Sequence, residues 1–336
     1  MLPPLIDHHV HLEMIVPTAP AARGIAGVVD LGANPAVIAR LAREIGSPHV
    51  VYAGAFLTAT GGYPSDRDWL REGSLREIPP VPGGAKGEAD AGSADAGGDD
   101  LPRRGLPSPA EAAVAEQAAF GASLVKVVLN ADAGPVLDAP TLAAIVAAAR
   151  AHGLPVVAHT EGPGMAARAI EAGVAAIVHT PWTEELPDAL VARAAEAGQR
   201  WVSTLDIHGR GHETPELATA IGNLARFHAA GGAVLYGTDL GNGELPDGVN
   251  ERELADLLAA GLDAPGILTA LTDPWPAPKR RREVATFVPG APPAAPEDLP
   301  AWLGRAEVVP AEALEPEGDL DLGILSPTRS PRTEPS

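Results

Sequence analysis

Cysteine is absent from the 336-residue chain, which excludes disulfides and thiolate metal sites. Any metal must therefore be bound by histidine, by carboxylate or by a modified side chain. Aromatic residues are scarce at 4%, which argues against an aromatic-lined surface for nucleic acids. Basic residues are also few, since 24 Lys and Arg stand against 44 Asp and Glu, for a net charge of -20. Because this charge repels phosphate backbones and anionic membranes, we expect neither nucleic acid nor membrane as a partner.

Long apolar runs are also missing. No stretch approaches the 18 consecutive apolar residues of a membrane-spanning helix. The first twenty residues lack the basic and apolar regions of a secretory signal. We therefore expect a soluble cytoplasmic protein, and the sequence leaves a homo-oligomer open. The phosphate-binding loops G-x-G-x-x-G and Walker A are absent too, which argues against an open, doubly wound nucleotide-binding sheet.

Short apolar segments typical of buried strands recur along the chain, and helical patterns separate most of them. With 46% hydrophobic residues, the chain can bury a large core. The predicted strands cover residues 4–10, 24–31, 50–56, 123–129, 155–159, 174–179, 201–205 and 233–239. Eight strands that alternate with helices predict an α/β fold, a parallel (β/α)8 TIM barrel over residues 1–275, with an open doubly wound sheet as the alternative.

Two segments do not fit the barrel pattern. Residues from about 79 to 109 contain mainly Pro, Gly, Ala and Asp, so they bury too little surface to offset the entropy of ordering. We predict a disordered insertion in a surface loop there. We predict that residues 276–336 form a C-terminal extension that is partly disordered. Within it, residues 284–288 and 320–325 could each form a strand.

Polar residues lie at the carboxyl ends of several predicted strands, where (β/α)8 barrels carry their functional groups. They are His9, His11, Lys126, His159, His179 and Asp239. Each has an ordinary structural explanation, such as a satisfied core histidine or an aspartate N-cap. Lys126 is harder to explain, because four apolar residues flank it and a buried ammonium is costly unless it is paired, neutralised or modified. The conjunction of all six predicts a metal site, because histidine is the commonest metal ligand.

This set resembles the signature of the amidohydrolase superfamily of metal-dependent hydrolases, with His-x-His at strand one, Lys at strand four, His at strands five and six, and Asp at strand eight. Residues 57–62, 223–231 and 253–261 resemble the branch of imidazolonepropionase-like and Xaa-Pro-dipeptidase-like enzymes. The resemblance covers roughly residues 4–275. Strand one begins within ten residues of the start, so the β-sandwich that usually flanks this barrel is expected to be absent or vestigial.

The resemblance implies two divalent metal ions, with Zn²⁺ as the first choice and Mn²⁺, Fe²⁺, Co²⁺ or Ni²⁺ as alternatives. His9, His11 and Asp239 would hold one ion, and His159 and His179 the second. Lys126, carboxylated to a carbamate, would bridge them.

This site implies hydrolysis of a C–N bond in an amide or cyclic amide by a hydroxide that bridges the metals. The substrate would be a small molecule, and Asp239 would move the proton. Alternatives on the same site are a lactonase or phosphoesterase, a mononuclear deaminase, and a catalytically inactive binding barrel.

Three further residues are predicted to contact the substrate. Tyr63 stands where the related branch often has His, and His208 and Arg210 lie in the loop after strand seven, as does Asp206. Loops at this rim of a barrel shape the substrate pocket. His8 is expected to point away from the ligands as a structural residue, because neighbouring strand positions face opposite sides.

Overall fold

Strands and helices alternate along the chain as the sequence predicts. The computed structural model describes residues 1–81, 107–277 and 284–310. Most of the predicted insertion and the whole predicted strand at 320–325 lie outside these residues. The strands are β1 (Ile6–Val10), β2 (Gly27–Asp30), β3 (His49–Tyr52), β4 (Phe56–Ala59), β5 (Leu75–Ile78), β6 (Val125–Asn130), β7 (Val156–Glu161), β8 (Ala176–Val178), β9 (Arg200–Val202), β10 (Ala233–Leu235), β11 (Val284–Phe287) and β12 (Glu307–Pro310).

Helices occupy most of the connections between the strands, as the sequence predicts. They are α1 (Ala19–Ala22), α2 (Pro35–Leu41), α3 (Pro109–Ala119), α4 (Ala139–Ala151), α5 (Met165–Glu171), α6 (Asp188–Glu196), α7 (Asp206–Gly209), α8 (Pro215–Ala229), α9 (Glu251–Ala259), α10 (Ala264–Thr272) and α11 (Leu299–Leu303). Local signals explain the agreement. Ser108 and Glu111 form a reciprocal capping box at α3, and Asp138 and Thr214 cap α4 and α8. These side chains satisfy backbone N–H groups that have no partner within the helix.

The parallel strands form a ring. One sheet has the order β1-β2-β3, and the other has the order β10-β9-β8-β7-β6-β4-β5. The chain passes from the first sheet to the second between β3 and β4. At the other end, His8 N donates to Tyr236 O at 2.9 Å and Asp239 N donates to His9 O at 2.8 Å. These bonds link β1 to the last strand, so the (β/α)8 architecture is confirmed.

The predicted third strand, 50–56, is divided in the structure: its first part lies in β3, and only its last residue, Phe56, lies in β4. Residues 57–59 were expected in a loop, but they belong to β4, which pairs in parallel with both β5 and β6. β5 itself was not predicted. Its sequence, Leu-Arg-Glu-Ile, has too few apolar residues to stand out as a strand. Pairing with β4 satisfies the backbone hydrogen-bonding groups of β5. Because the pairing partner lies outside the segment, the local sequence of β5 does not reveal the strand.

The core has two apolar layers. One fills the ring of strands and includes Val29, Val157 and Leu235, and the other lies between the strands and the outer helices. Beside the barrel, β11 pairs antiparallel with β12, and the backbone of Leu2 bonds to Thr286. This small sheet agrees with a vestigial flanking domain. Within the described ranges, no helix is long and apolar enough to cross a membrane.

Candidate active site

One cavity of about 210 Å³ lies at the carboxyl ends of the barrel strands, and all six predicted ligands line it. They are His9, His11, Lys126, His159, His179 and Asp239. Each is at least nine-tenths buried. Parallel strands bring their carboxyl ends to one edge of the ring, so residues more than 200 positions apart in sequence become neighbours.

Two buried carboxylates position the first pair of histidines. Asp7 accepts hydrogen bonds from the backbone N–H groups of His9 (3.0 Å) and Thr238 (3.1 Å), and from the Thr238 hydroxyl (2.5 Å). Asp30 accepts from Leu12 N at 2.7 Å and Gly32 N at 3.2 Å. Asp7 therefore ties β1 to the residue that precedes Asp239. Asp30 holds the chain that follows His11.

The first predicted metal position is formed by His9, His11 and Asp239. Asp239 Oδ1 lies 3.2 Å from His9 Nε2 and 3.2 Å from His11 Nε2. Donor atoms of His9, His179 and Asp239 all lie within 4.8 Å of one another, close enough to hold one metal ion. Both ring nitrogens of His9 and Asp239 Oδ1 are buried without a hydrogen-bond partner in the described ranges. Because unpaired buried polar atoms are costly, this donor set fits a divalent cation.

Outer contacts determine which ring nitrogen each histidine offers to the cavity. His11 Nδ1 donates to Gly32 O at 3.2 Å, and His179 Nδ1 lies 2.9 Å from Thr204 Oγ1. Both rings therefore keep Nε2 for a metal. His159 is reversed, because its Nε2 lies 3.2 Å from Glu161 Oε2 and leaves Nδ1. Such outer partners are typical of metal-binding histidines.

Electrostatics favour the ligand forms of His9, His179 and Asp239. Burial holds the pKa of His9 and the pKa of His179 well below the ordinary histidine value, so both rings are neutral. Burial by itself would raise the pKa of Asp239, but the surrounding histidines outweigh it and lower that pKa well below its usual range. Neutral imidazole and ionised carboxylate are the forms that bind metals.

Lys126 is the second residue of β6 and is 2% exposed. Burial lowers its pKa to about 7, so a large share of the amine is neutral near pH 7. No carboxylate in the described part of the chain forms an ion pair with it. A neutral amine is the form that can react with CO₂, so the environment of Lys126 fits the carbamate that the resemblance implies.

Two of the six residues have a strained backbone. His179 has φ 66° and Asp239 has φ 61°, in the left-handed region that L-residues with a side chain rarely adopt. His179 directly follows β8, and Asp239 lies four residues beyond the end of β10. Both residues line the cavity. Strain of this kind persists only where the surrounding structure maintains it, and it is concentrated at functional sites.

The three predicted substrate contacts are placed differently. Tyr63 lines the cavity, and its ring stacks on that of His159 at 5.7 Å between centroids. His208 and Arg210 are outside the lining. The His208 ring packs at a tilt of 32° against Trp182, with 4.6 Å between the centroids, and exposed Arg210 lies against Gly243 at the cavity rim.

Two polar residues near the site have structural contacts. Asp206 is 1% exposed and accepts two hydrogen bonds of 2.8 Å from Arg252, so it is not free to contact a substrate. His8 points away from the cavity as expected, because its ring nitrogens lie 2.8 Å from the carbonyl oxygens of Tyr236 and Asp273.

Sequence reasoning missed several residues of the site. Glu161 follows His159 at i+2 on the same strand, which is the spacing that pointed to His9 and His11, so that signal was available. Asn242 donates to Asp239 Oδ2 at 2.8 Å from the loop after the last strand. Phe56 and Trp69 also line the cavity. Nothing in the local sequence of these three distinguishes them from other loop or core residues.

No protein-family model matches the chain, and no curated protein sequence matches it. Solved structures do. A Xaa-Pro dipeptidase with bound methionine has a TM-score of 0.66 at 18% identity, covering 92% of this chain and 85% of that chain. Ochratoxinase of A. niger has a TM-score of 0.66 at 18% identity, covering 92% and 82%. A structure described as an amidohydrolase has a TM-score of 0.62 at 21% identity, covering 92% and 85%.

The chain shares the fold of these three structures. At these identities the likeness shows the fold, and the six residues come from this chain's own geometry. All six line one cavity at the carboxyl ends of the strands. In the described ranges, the one group of His, Asp and Glu side chains close enough to hold a metal ion lies in that cavity.

Proposed function

We propose that this protein is a metal-dependent amidohydrolase that cleaves the C–N bond of an amide or cyclic amide. His9, His11 and Asp239 would hold one divalent ion, and His159 and His179 the other. Lys126 would bridge them as a carbamate. The observation that carries the proposal is the buried donor atoms of His9, His179 and Asp239, which lie within 4.8 Å of one another beside a buried lysine in one cavity.

The chain's own residues can perform the remaining chemistry. Bound divalent ions would supply hydroxide near neutral pH and polarise the scissile carbonyl. Asn242 donates to Asp239 Oδ2, and Oδ1 lies 3.2 Å from His9 Nε2. Asp239 would accept a proton from the attacking water and pass it to the leaving nitrogen. The six predicted ligands are buried, which strengthens the electrostatic interactions of this transfer.

The structural neighbours support an amide substrate. They are described as a Xaa-Pro dipeptidase, an amidohydrolase and a bottromycin amidohydrolase, the last with a TM-score of 0.60 at 17% identity. Ester hydrolysis has no comparable support on this site. We therefore propose amide hydrolysis as the activity and Zn²⁺ as the metal to test first, since the ligand set is entirely nitrogen and oxygen.

Metal content and hydrolysis test this proposal together. Protein loaded with Zn²⁺ or Mn²⁺ should contain about two ions per chain and hydrolyse members of an amide panel. Lys126→Met and His179→Asn should each lower the metal content and abolish hydrolysis. His152→Gln is the matched control, because His152 is exposed and outside the cavity.

The results separate the alternatives. One ion per chain, with the same content in Lys126→Met, would favour the mononuclear deaminase. No metal in any variant would favour the alternative of a catalytically inactive binding barrel. The carbamate has its own readout: ¹³C NMR of protein exposed to ¹³CO₂ should show one carbamate signal that Lys126→Met removes. The background is low because the chain has only three lysines.

A further inference from the structure

Aromatic side chains are concentrated in the cavity, although they are scarce in the chain. The sequence contains 5 Trp, 3 Tyr and 4 Phe. Phe56, Tyr63 and Trp69 all line the one cavity that holds the predicted ligands. We call these three residues the aromatic wall. All three come from one segment, β4 and the loop that follows it.

The aromatic wall is a continuous edge-to-face cluster. The Phe56 and Trp69 ring centroids are 6.3 Å apart at 67°, and those of Tyr63 and Trp69 are 6.2 Å apart at 66°. Each end reaches a predicted metal ligand. Phe56 lies 5.7 Å from His11, and Tyr63 lies 5.7 Å from His159. A substrate held at the predicted metals must therefore lie beside this wall.

The backbone and a cation hold two of the rings in place. A Cβ at Gly32 would lie 2.0 Å from the Phe56 ring, so only glycine allows the ring to pack there. The Arg67 guanidinium lies over the Tyr63 ring, 5.1 Å from its centroid. Trp69 is 39% exposed, and an exposed Trp at the mouth of a cavity offers apolar area to a ligand. The wall is preorganised, which reduces the cost of binding.

The size of the cavity limits what can occupy it. Its volume is about 210 Å³, compared with the roughly 150 Å³ of an engineered cavity that binds benzene. Gly241 and Gly243 face into it without side chains. One six-membered ring and an adjoining amide group therefore fit, but two fused or linked rings would extend into the open mouth.

We propose that the substrates are amides that carry one aromatic ring next to the scissile bond, and that Trp69 determines this preference. The inference rests on the proposed amide hydrolysis for the position of the scissile bond. Edge-to-face contacts with an aromatic ligand add to the burial of apolar surface. An aliphatic ring of the same size gains the burial but not these contacts.

Binding of benzamide and cyclohexanecarboxamide tests the proposal without requiring turnover. The two probes share the carboxamide and differ only in the ring. Dissociation constants would be measured by ligand-observed NMR on the full chain, with and without Zn²⁺. Benzamide should bind about 2- to 10-fold more tightly. Trp69→Leu should remove the difference and Trp69→Phe should retain it. Phe120→Leu is the control, because Phe120 is also 39% exposed but outside the cavity.

Equal affinities in the wild type, a preference for cyclohexanecarboxamide, or no binding of either probe would overturn the inference. An aromatic preference that survives Trp69→Leu would overturn the role of Trp69. Hydrolysis is assayed separately on the amide panel. An enzyme that cleaves aliphatic amides as fast as aromatic ones would refute this inference alone. Selective benzamide binding without any hydrolysis would refute the proposed function instead.

Discussion

Replacing Lys126 by Met should stabilise the metal-free protein while it destroys the metal site. Lys126 is 2% exposed, and burial lowers its pKa from 10.5 to about 7. At 1.36 kcal/mol per pKa unit, the buried amine costs about 4 kcal/mol of folding free energy at pH 7. Met has a similar length and no charge. The Lys126→Met variant should therefore unfold at a higher denaturant concentration than the wild type.

The pH dependence distinguishes this cause from better packing. Between pH 7 and 10.5 the unfolded state holds the Lys126 proton more tightly than the folded state, so wild-type stability rises with pH. The advantage of Lys126→Met should shrink to about 1.5 kcal/mol at pH 9.5. With metal and CO₂ present the order should reverse, because the variant cannot form the bridging carbamate.

Urea unfolding in chelator and CO₂-free buffer at pH 7 and 9.5 measures both quantities. Leu129→Met, on the same strand and fully buried, is the matched control, and its effect should be small and independent of pH. A Lys126→Met variant that is less stable than the wild type at pH 7 without metal would refute the reasoning. An advantage that is the same at both pH values would refute it too.

Three further predictions concern other parts of the site. Glu161→Gln should weaken the binding of the second metal about 10- to 100-fold, because Glu161 orients His159. Competition with a chelator measures this affinity, and an unchanged value would contradict the prediction. Gly32→Ala should displace the Phe56 ring, which a Cβ would meet at 2.0 Å, and lower the unfolding midpoint; an unchanged midpoint and cavity would contradict the close packing. Burial lowers the pKa of His208 to about 4, so His208 is neutral above about pH 5. The His208→Gln variant should therefore have a pH–rate profile of unchanged shape from pH 5 to 8. Loss of a limb of the profile in this range would contradict the prediction.

Local sequence was sufficient to predict those features whose physical cause lies within a few residues of the chain. The alternation of apolar strands and capped helices follows from side-chain periodicity and from residues such as Ser108 and Asp138, whose hydrogen bonds span only three positions. The six predicted ligands were visible because a polar residue at the end of an apolar strand is unusual in itself. Lys126 stood out most clearly, since burying an ammonium has a cost that the flanking residues already imply.

Only the tertiary structure determined which residues from distant segments of the chain lie close together. It distinguished Tyr63, which lines the cavity, from His208 and Arg210, which were equally plausible as loop residues. It also revealed the aromatic wall, because edge-to-face packing of Phe56 with Trp69 depends on a loop path that no periodic pattern encodes. The sequence by itself determined which residues can bind a metal, since that is a property of each side chain. Only the fold decided which of them meet and what surface a substrate would contact, because those are properties of residues that lie far apart in the chain.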